Sequence, residues 1–195
     1  MAKKSKIGLY FGSFNPIHIG HLMIAGYIAE YSSLKEIWFV ISPQNPLKEK
    51  SSLLADYHRL ALVNVAVEDD ARFKSCDIEF KLPQPSYTIT TLTYLQEKYP
   101  QKEFSLIMGA DNLENFSKWM NYEQILAHYS IYVYPRPGYD GGKFKEHSQI
   151  NWINAPFLEI SSSFIRTAIK EKKNINYFLP DKVYQYIQEM HFYER

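Results

Sequence analysis

Gly12-Ser13-Phe14-Asn15-Pro16-Ile17-His18-Ile19-Gly20-His21 joins two kinds of chain. Ahead of it, Ile7-Gly8-Leu9-Tyr10-Phe11 is a short, near-continuous apolar run, the pattern of a strand buried on both faces of a parallel sheet. Behind it, the residue types mark a helix start. Asn15 is a favoured N-cap, Pro16 suits the first helical position, where its missing N–H is not needed, and Ile19, Leu22, Met23 and Ile24 give an apolar stripe toward a sheet. The stretch therefore reads as strand, Gly-Ser turn and capped helix in immediate succession.

The unpaired N–H groups and positive dipole end of such a helix favour an anion, and phosphate is the obvious one. With Asn15 as cap, His18 is the third helical residue and His21 the sixth, so both imidazoles share one face and can donate to one polyanion. The competing reading makes them surface or packing residues. Zinc is disfavoured, because His-x-x-His lacks the His-Glu-x-x-His spacing and no cysteine cluster lies nearby.

The whole chain sets limits on this reading. Its 195 residues, 46% of them hydrophobic, suffice for one domain with a substantial core. Lys and Arg number 22 against 21 acidic residues, so there is no global field for nucleic acid and any anion site must be local. A single cysteine, Cys76, excludes an internal disulfide framework and a multi-cysteine metal site. The apolar run after the N-terminal lysines is short, and no segment approaches the roughly 18 apolar residues of a membrane span. The expected compartment is the cytoplasm, with no membrane partner; oligomeric state, a homo-oligomer included, is open.

Further along, Ile37 to Ile41 is a second buried-strand run, completing a strand-helix-strand unit whose ligands collect at the carboxyl ends of the strands. The loop Ser42 to Lys50 follows at that end, with prolines against a helix and Lys48 within reach of a phosphate. A helix is expected from Ala55 to Glu68, with Arg59 as a structural residue, and a strand from Arg72 to Lys81. After Pro83 and Pro85, Ser86-Tyr87-Thr88 opens a helix whose hydroxyls and N–H groups suit either a plain cap or a carboxylate receptor.

Phe104 to Met108 is a further strand, followed directly by Gly109-Ala110-Asp111. A glycine and a carboxylate at a strand end suit ribose recognition, with an N-cap aspartate as the competing reading. Trp119 offers a flat face for a ring or a plain packing group. The strand Ser130 to Tyr134 runs into Pro135-Arg136-Pro137-Gly138, and Tyr139 to Gln149 reads as a mobile loop. A short strand is expected at 151–155. Ser161-Ser162-Ser163 then start a helix with Arg166 one turn on, a second anion clamp, and a closing helix spans Pro180 to His191.

Gly-Ser-Phe-Asn-Pro-Ile-His-Ile-Gly-His resembles the signature of the nucleotidyltransferase superfamily, and of its nicotinate-nucleotide adenylyltransferases in particular. Ser86-Tyr87-Thr88 with Thr91-Leu92, Gly109-Ala110-Asp111 with Phe116 and Trp119, Arg136-Pro137-Gly138, and Ile160-Ser161-Ser162-Ser163-Phe164-Ile165-Arg166 are similar to further motifs of that family, so the likeness spans nearly the whole chain. Phe11 replaces the usual first glycine, Asn15 the aspartate, Leu47 a histidine beside Lys48, and Ser163 a threonine. The resemblance implies transfer of AMP from ATP to nicotinate mononucleotide, giving deamido-NAD and pyrophosphate, with Mg²⁺ carried by ATP and no protein metal ligands.

By the same likeness His18, His21, Lys48 and Arg166 are catalytic. ATP is bound by Gly12, Ser13, Phe14, His18, His21, Gly109, Asp111, Arg136, Ser161, Ser162, Ser163 and Arg166, and the acceptor by Asn15, Lys48, Ser86, Tyr87, Thr88 and Trp119. The expected fold is a single α/β, Rossmann-like, doubly wound domain over residues 1–195, with a mainly parallel sheet and helices on both faces. A related adenylyltransferase acting on nicotinamide mononucleotide or phosphopantetheine, or a non-catalytic nucleotide-binding protein, are the alternatives.

Overall fold

The computed structural model describes residues 4–43, 53–156 and 158–194. Six strands, β1 (Ser5–Gly12), β2 (Glu36–Ile41), β3 (Phe73–Cys76), β4 (Lys102–Gly109), β5 (Ile131–Tyr134) and β6 (Ile150–Trp152), pair in parallel in the order β3-β2-β1-β4-β5-β6. The chain first winds outward from β1 to β3, then returns to the other side of β1 for β4 to β6. The loops leaving β1 and β4 therefore part in opposite directions, leaving a crevice at the carboxyl ends of these neighbours.

Among the described residues seven α-helices cover the faces: α1 (Ile19–Tyr31), α2 (Asp56–Val67), α3 (Thr88–Lys98), α4 (Ala110–Glu114), α5 (Tyr122–His128), α6 (Ser162–Lys170) and α7 (Asp181–Glu189). Strand alternation divides the core between them. Ile37, Phe39 and Ile41 of β2 pack with α1, α2, α6 and α7, while Trp38 and Val40 pack with β4 residues and with α3 to α5. Both faces are buried, so the strands read as continuous apolar runs. The α/β doubly wound expectation is borne out.

Three local expectations are corrected. The first helix begins at Ile19, with His18 as its N-cap, not at Pro16. Asn15 does not cap because its side-chain oxygen accepts from Leu54 N–H at 3.2 Å and from the Tyr193 hydroxyl at 2.8 Å. The strand expected over Arg72 to Lys81 stops at Cys76, whose partner Val40 lies one residue from the end of β2; with no further partner the chain turns into a 3-10 segment, Ile78–Lys81. Residues 139–149, read as a mobile loop, are mostly exposed but anchored at Gly141 and Phe144, and they include a short 3-10 turn, Gly142–Phe144. Phe144 is buried against Phe116 and Tyr122, and Trp152 Nε1 donates to Lys145 O at 3.0 Å.

No described helix is long and apolar enough to cross a membrane.

Candidate active site

The Gly12–His18 loop is held from three directions. From α2, the fully buried Arg59 donates through Nη1 to Ser13 O at 2.6 Å and Ser42 O at 2.9 Å, and through Nε to Leu54 O at 3.1 Å. Its charge is balanced by Asp56 at 2.6 Å. Arg59 thus acts as a structural residue, tying the loop after β1 to the loop after β2. From beneath, Phe14, at φ 45°, packs its ring edge-on to Tyr10 at 5.8 Å, Phe39 at 5.5 Å and His21 at 5.1 Å.

From α6 comes the third hold. Ser162 Oγ donates to Pro16 O at 2.9 Å, and Arg166 donates through Nη1 to Asn15 O at 2.8 Å and through Nη2 to Ser163 Oγ at 3.2 Å. Ser161 caps the helix, its Oγ accepting from Phe164 N–H at 3.1 Å. The two motifs singled out in the sequence therefore touch directly, although Ser162 and Pro16 lie 146 residues apart.

His18 and His21 sit as N-cap and third residue of α1, not as third and sixth, but they do converge. Their rings stack at 3.7 Å with 23° between planes. His21 Nδ1 accepts from His18 N–H at 3.3 Å, which assigns its proton to Nε2 in the neutral ring. His18 is 4% exposed, and its Nδ1 is buried without a hydrogen-bond partner. Burial, assisted by the positive charge of Arg136, holds its pKa down at about 4. At neutral pH His18 is an uncharged imidazole, a donor and dipole and not a cation.

Arg136, just past β5, lies over the Tyr134 ring at 5.1 Å, donates through Nη2 to Tyr134 OH at 3.3 Å, and faces Asp111 Oδ1 at 3.8 Å. Tyr10 OH donates to Tyr134 OH at 3.2 Å. The Arg136 Nε and Asp111 Oδ1 atoms are both buried and face each other as an ion pair, without a hydrogen bond to any described group. Gly109 makes the arrangement possible, since a Cβ there would collide with Asp111 Oδ1 and press on Arg136 at 3.2 Å.

The crevice between β1 and β4 opens into a cavity of about 450 Å³, within the range of small-molecule sites. Gly12 and Ser13 lie on one side and Asp111 and Trp119 on another, with Ser86, Tyr87 and Thr88 at the start of α3. Ser86 Oγ is buried without a partner. All the acceptor-binding residues expected after position 50 thus line one cavity. Tyr87, not Ser86 or Thr88, is the N-cap of α3, and no side chain caps that helix, so its first N–H groups lack a side-chain partner at the cap. Lys48 and its neighbour Leu47 lie outside the described residues.

Sequence reading missed Tyr10, Tyr134 and Glu79 as cavity-lining groups. The tyrosines were absorbed into apolar strand runs; a hydroxyl near the carboxyl end of a buried strand is the signal that was available. Glu79 is buried and accepts from Thr91 Oγ1 at 2.8 Å, and burial raises its pKa against the opposing effect of its Thr91 and Ser42 hydrogen bonds. Its position inside the 3-10 turn has no sequence signature.

A cavity of this size at the switch point, with the start of α3 in its wall, is where an α/β sheet binds a small molecule, and comparison with known proteins supplies the class. The cytidylyltransferase-like family model matches residues 9–168. The probable nicotinate-nucleotide adenylyltransferase of Flavobacterium psychrophilum is 58% identical over 192 residues, spanning 97% of this chain and 100% of that protein. The protein of the same description from Bacteroides thetaiotaomicron is 47% identical over 188 residues, spanning 96% and 93%. Among solved structures, the Plasmodium falciparum nicotinic acid mononucleotide adenylyltransferase complexed with NaAD shares the fold with a TM-score of 0.81 at 23% identity, over 97% of this chain and 98% of that one. The chain belongs to the cytidylyltransferase-like family and, within it, with the nicotinate-nucleotide adenylyltransferases.

Proposed function

We propose that the chain transfers AMP from ATP to nicotinate mononucleotide, releasing pyrophosphate and forming deamido-NAD in NAD biosynthesis, and that one domain over residues 1–195 carries the reaction. The observation that carries this reading is the double duty of one loop. Gly12 and Ser13 line the acceptor cavity while the next residues, Asn15 and Pro16, are clasped by the serine-rich start of α6. A substrate phosphate in the cavity and a triphosphate at α6 then meet across three or four residues of backbone.

In this geometry an oxygen of the mononucleotide phosphate attacks the α-phosphorus of ATP in line, a bond forms between them, and the bond from the α-phosphorus to the bridging oxygen of pyrophosphate breaks. Positioning and charge neutralisation supply the catalysis. Neutral His18 and Nε2–H of His21 act as fixed dipoles toward the developing charge. The Arg166 guanidinium, with five donors in all, keeps some for phosphate after its bonds to Asn15 and Ser163, and Ser161, Ser162, Ser163 and the free N–H groups of α6 surround the same anion. Lys48 joins them on sequence grounds. Asp111 accepts from a ribose hydroxyl beside Arg136, and Phe14 supports the loop on which ATP rests.

At the far end, Ser86 and Thr88 with the N–H groups of α3 receive the pyridine carboxylate, while Tyr87 and Trp119 flank the ring. Among the described residues no cluster of three His, Cys, Asp or Glu side chains is placed to hold a metal. The donor set fits Mg²⁺ held by the triphosphate itself, where it would lower the negative charge facing the attacking phosphate.

Pyrophosphate release with ATP and each of nicotinate mononucleotide, nicotinamide mononucleotide and phosphopantetheine tests the reading. Turnover is expected with the first and lost by about 10² to 10³ in His21→Ala. Turnover only with phosphopantetheine, or none with any acceptor, would overturn it.

A further inference from the structure

We infer that Tyr193 is a positioning residue for the phosphate-binding loop, acting through Asn15. Its hydroxyl lies 178 residues along the chain from Asn15 and donates to Asn15 Oδ1 at 2.8 Å. The same oxygen accepts from Leu54 N–H at 3.2 Å, and the Asn15 carbonyl accepts from Arg166 at 2.8 Å. Asn15 is therefore the point where three remote segments are fastened to the loop: the approach to α2, the middle of α6 and the turn after α7. The inference rests on the adenylyl-transfer reading for its kinetic consequence, but not for its geometry.

The tyrosine is itself held firmly. Its neighbour Phe192 is buried in the core, with its ring 4.6 Å from His58 of α2 and 5.9 Å from Tyr186 of α7. Tyr193 itself adopts φ 66°, in the left-handed backbone region. Burial raises the phenol's pKa, and the charges of Arg166 and Arg59 oppose that rise. The group stays protonated across physiological pH, so its hydroxyl proton is available to Asn15 Oδ1.

Asn15 stands three residues before His18, and its own carbonyl is the acceptor for Arg166. A swing of the Asn15 side chain would therefore shift the loop on which both anion-binding motifs depend. Tyr193 prevents this without touching a substrate, so its loss should show in kcat more than in the KM of the acceptor.

Tyr193→Phe keeps the ring and removes the hydroxyl. A fall in kcat of about three- to tenfold is expected, the range of one ordinary hydrogen bond, with the acceptor KM held within about twofold. In combination with Asn15→Ala the tyrosine change should add nothing, because its only route has already been removed. Hydrogen exchange followed by mass spectrometry on the peptide containing residues 12–18 should quicken in Tyr193→Phe whether or not an acceptor is present. Unchanged kcat, effects of the two substitutions that multiply, or unchanged exchange over 12–18 would each overturn the inference. A wild-type protein inactive on every acceptor, but with faster exchange in Tyr193→Phe, would instead count against the adenylyl-transfer reading alone.

Discussion

Lowering the pH should destabilise the protein through His18 in a way that can be isolated. In the folded chain this imidazole titrates at about 4, against about 6.5 in an unfolded chain. Between these values the unfolded state binds more protons, so stability is full above about pH 6.5, falls as the pH falls, and has lost this contribution below about pH 4. From pH 8 to pH 5 the unfolded imidazole is stabilised by about 2.0 kcal/mol and the folded one by about 0.1 kcal/mol, a net loss of about 2 kcal/mol. For a chain of this size that is about 4–8 °C in Tm. Urea unfolding of the wild type and of His18→Gln at pH 8 and pH 5 provides the comparison. Other titrating groups affect both proteins alike, so the wild type should lose about 2 kcal/mol more than the variant. Parallel losses would refute the argument that His18 is buried in its neutral form.

Arg166→Ala should raise the KM of ATP more than that of the acceptor, because Arg166 joins Ser163 to the Asn15 carbonyl; kinetics with each substrate varied separately decide it, and a rise confined to the acceptor would assign α6 to the other end of the site. Thr88→Val should erode an expected preference of about 10² in kcat/KM for nicotinate over nicotinamide mononucleotide, since charge-assisted hydrogen bonds are about twice as strong as neutral ones. In Trp119→Ala both acceptors should weaken together through loss of a shared face lining the cavity, and an effect on only one of them would argue against stacking. Gly109→Ala should cut kcat/KM at least about tenfold by displacing Asp111 and Arg136, whereas Gly26→Ala, in the interior of α1 with open space for its Cβ, should stabilise the protein by about 0.5–1 kcal/mol in urea unfolding with unchanged kcat.

Much of this architecture was legible because each buried strand carries its own signal. Ile7 to Phe11, Ile37 to Ile41 and Phe104 to Met108 are apolar on both faces, and glycine-marked loops follow the first and third. The motifs were legible for the same local reason: His18 with His21, and Ser161 to Ser163 with Arg166, lie within a turn or two of each other. What was hidden depends on partners distant in sequence. Asn15 has the composition of an N-cap, but Leu54 and Tyr193 use its side-chain oxygen, and no spacing rule reveals that. Residues 139–149 are polar and glycine-bearing, yet Phe144 anchors them, and one phenylalanine in such a run is a weak signal. Tyr10 and Tyr134 looked like core because most of each ring is core; only the hydroxyl belongs to the site.

The bonds from Ser162 to Pro16 and from Tyr193 to Asn15 join residues 146 and 178 positions apart. Closing a flexible loop of that length costs about 4.5 kcal/mol, more than these two hydrogen bonds return at about 1 kcal/mol each. The clasp therefore forms only once strand pairing has already brought the distant segments alongside. On a ribosome, the Gly12–His18 loop emerges among the first segments made and can meet Arg59 early, yet its bonds to α6 and Tyr193 wait for nearly all the rest. A chain ending before residue 162 would still contain the residues of its four inner strands, but would lack the bonds from Ser162, Arg166 and Tyr193 to this loop.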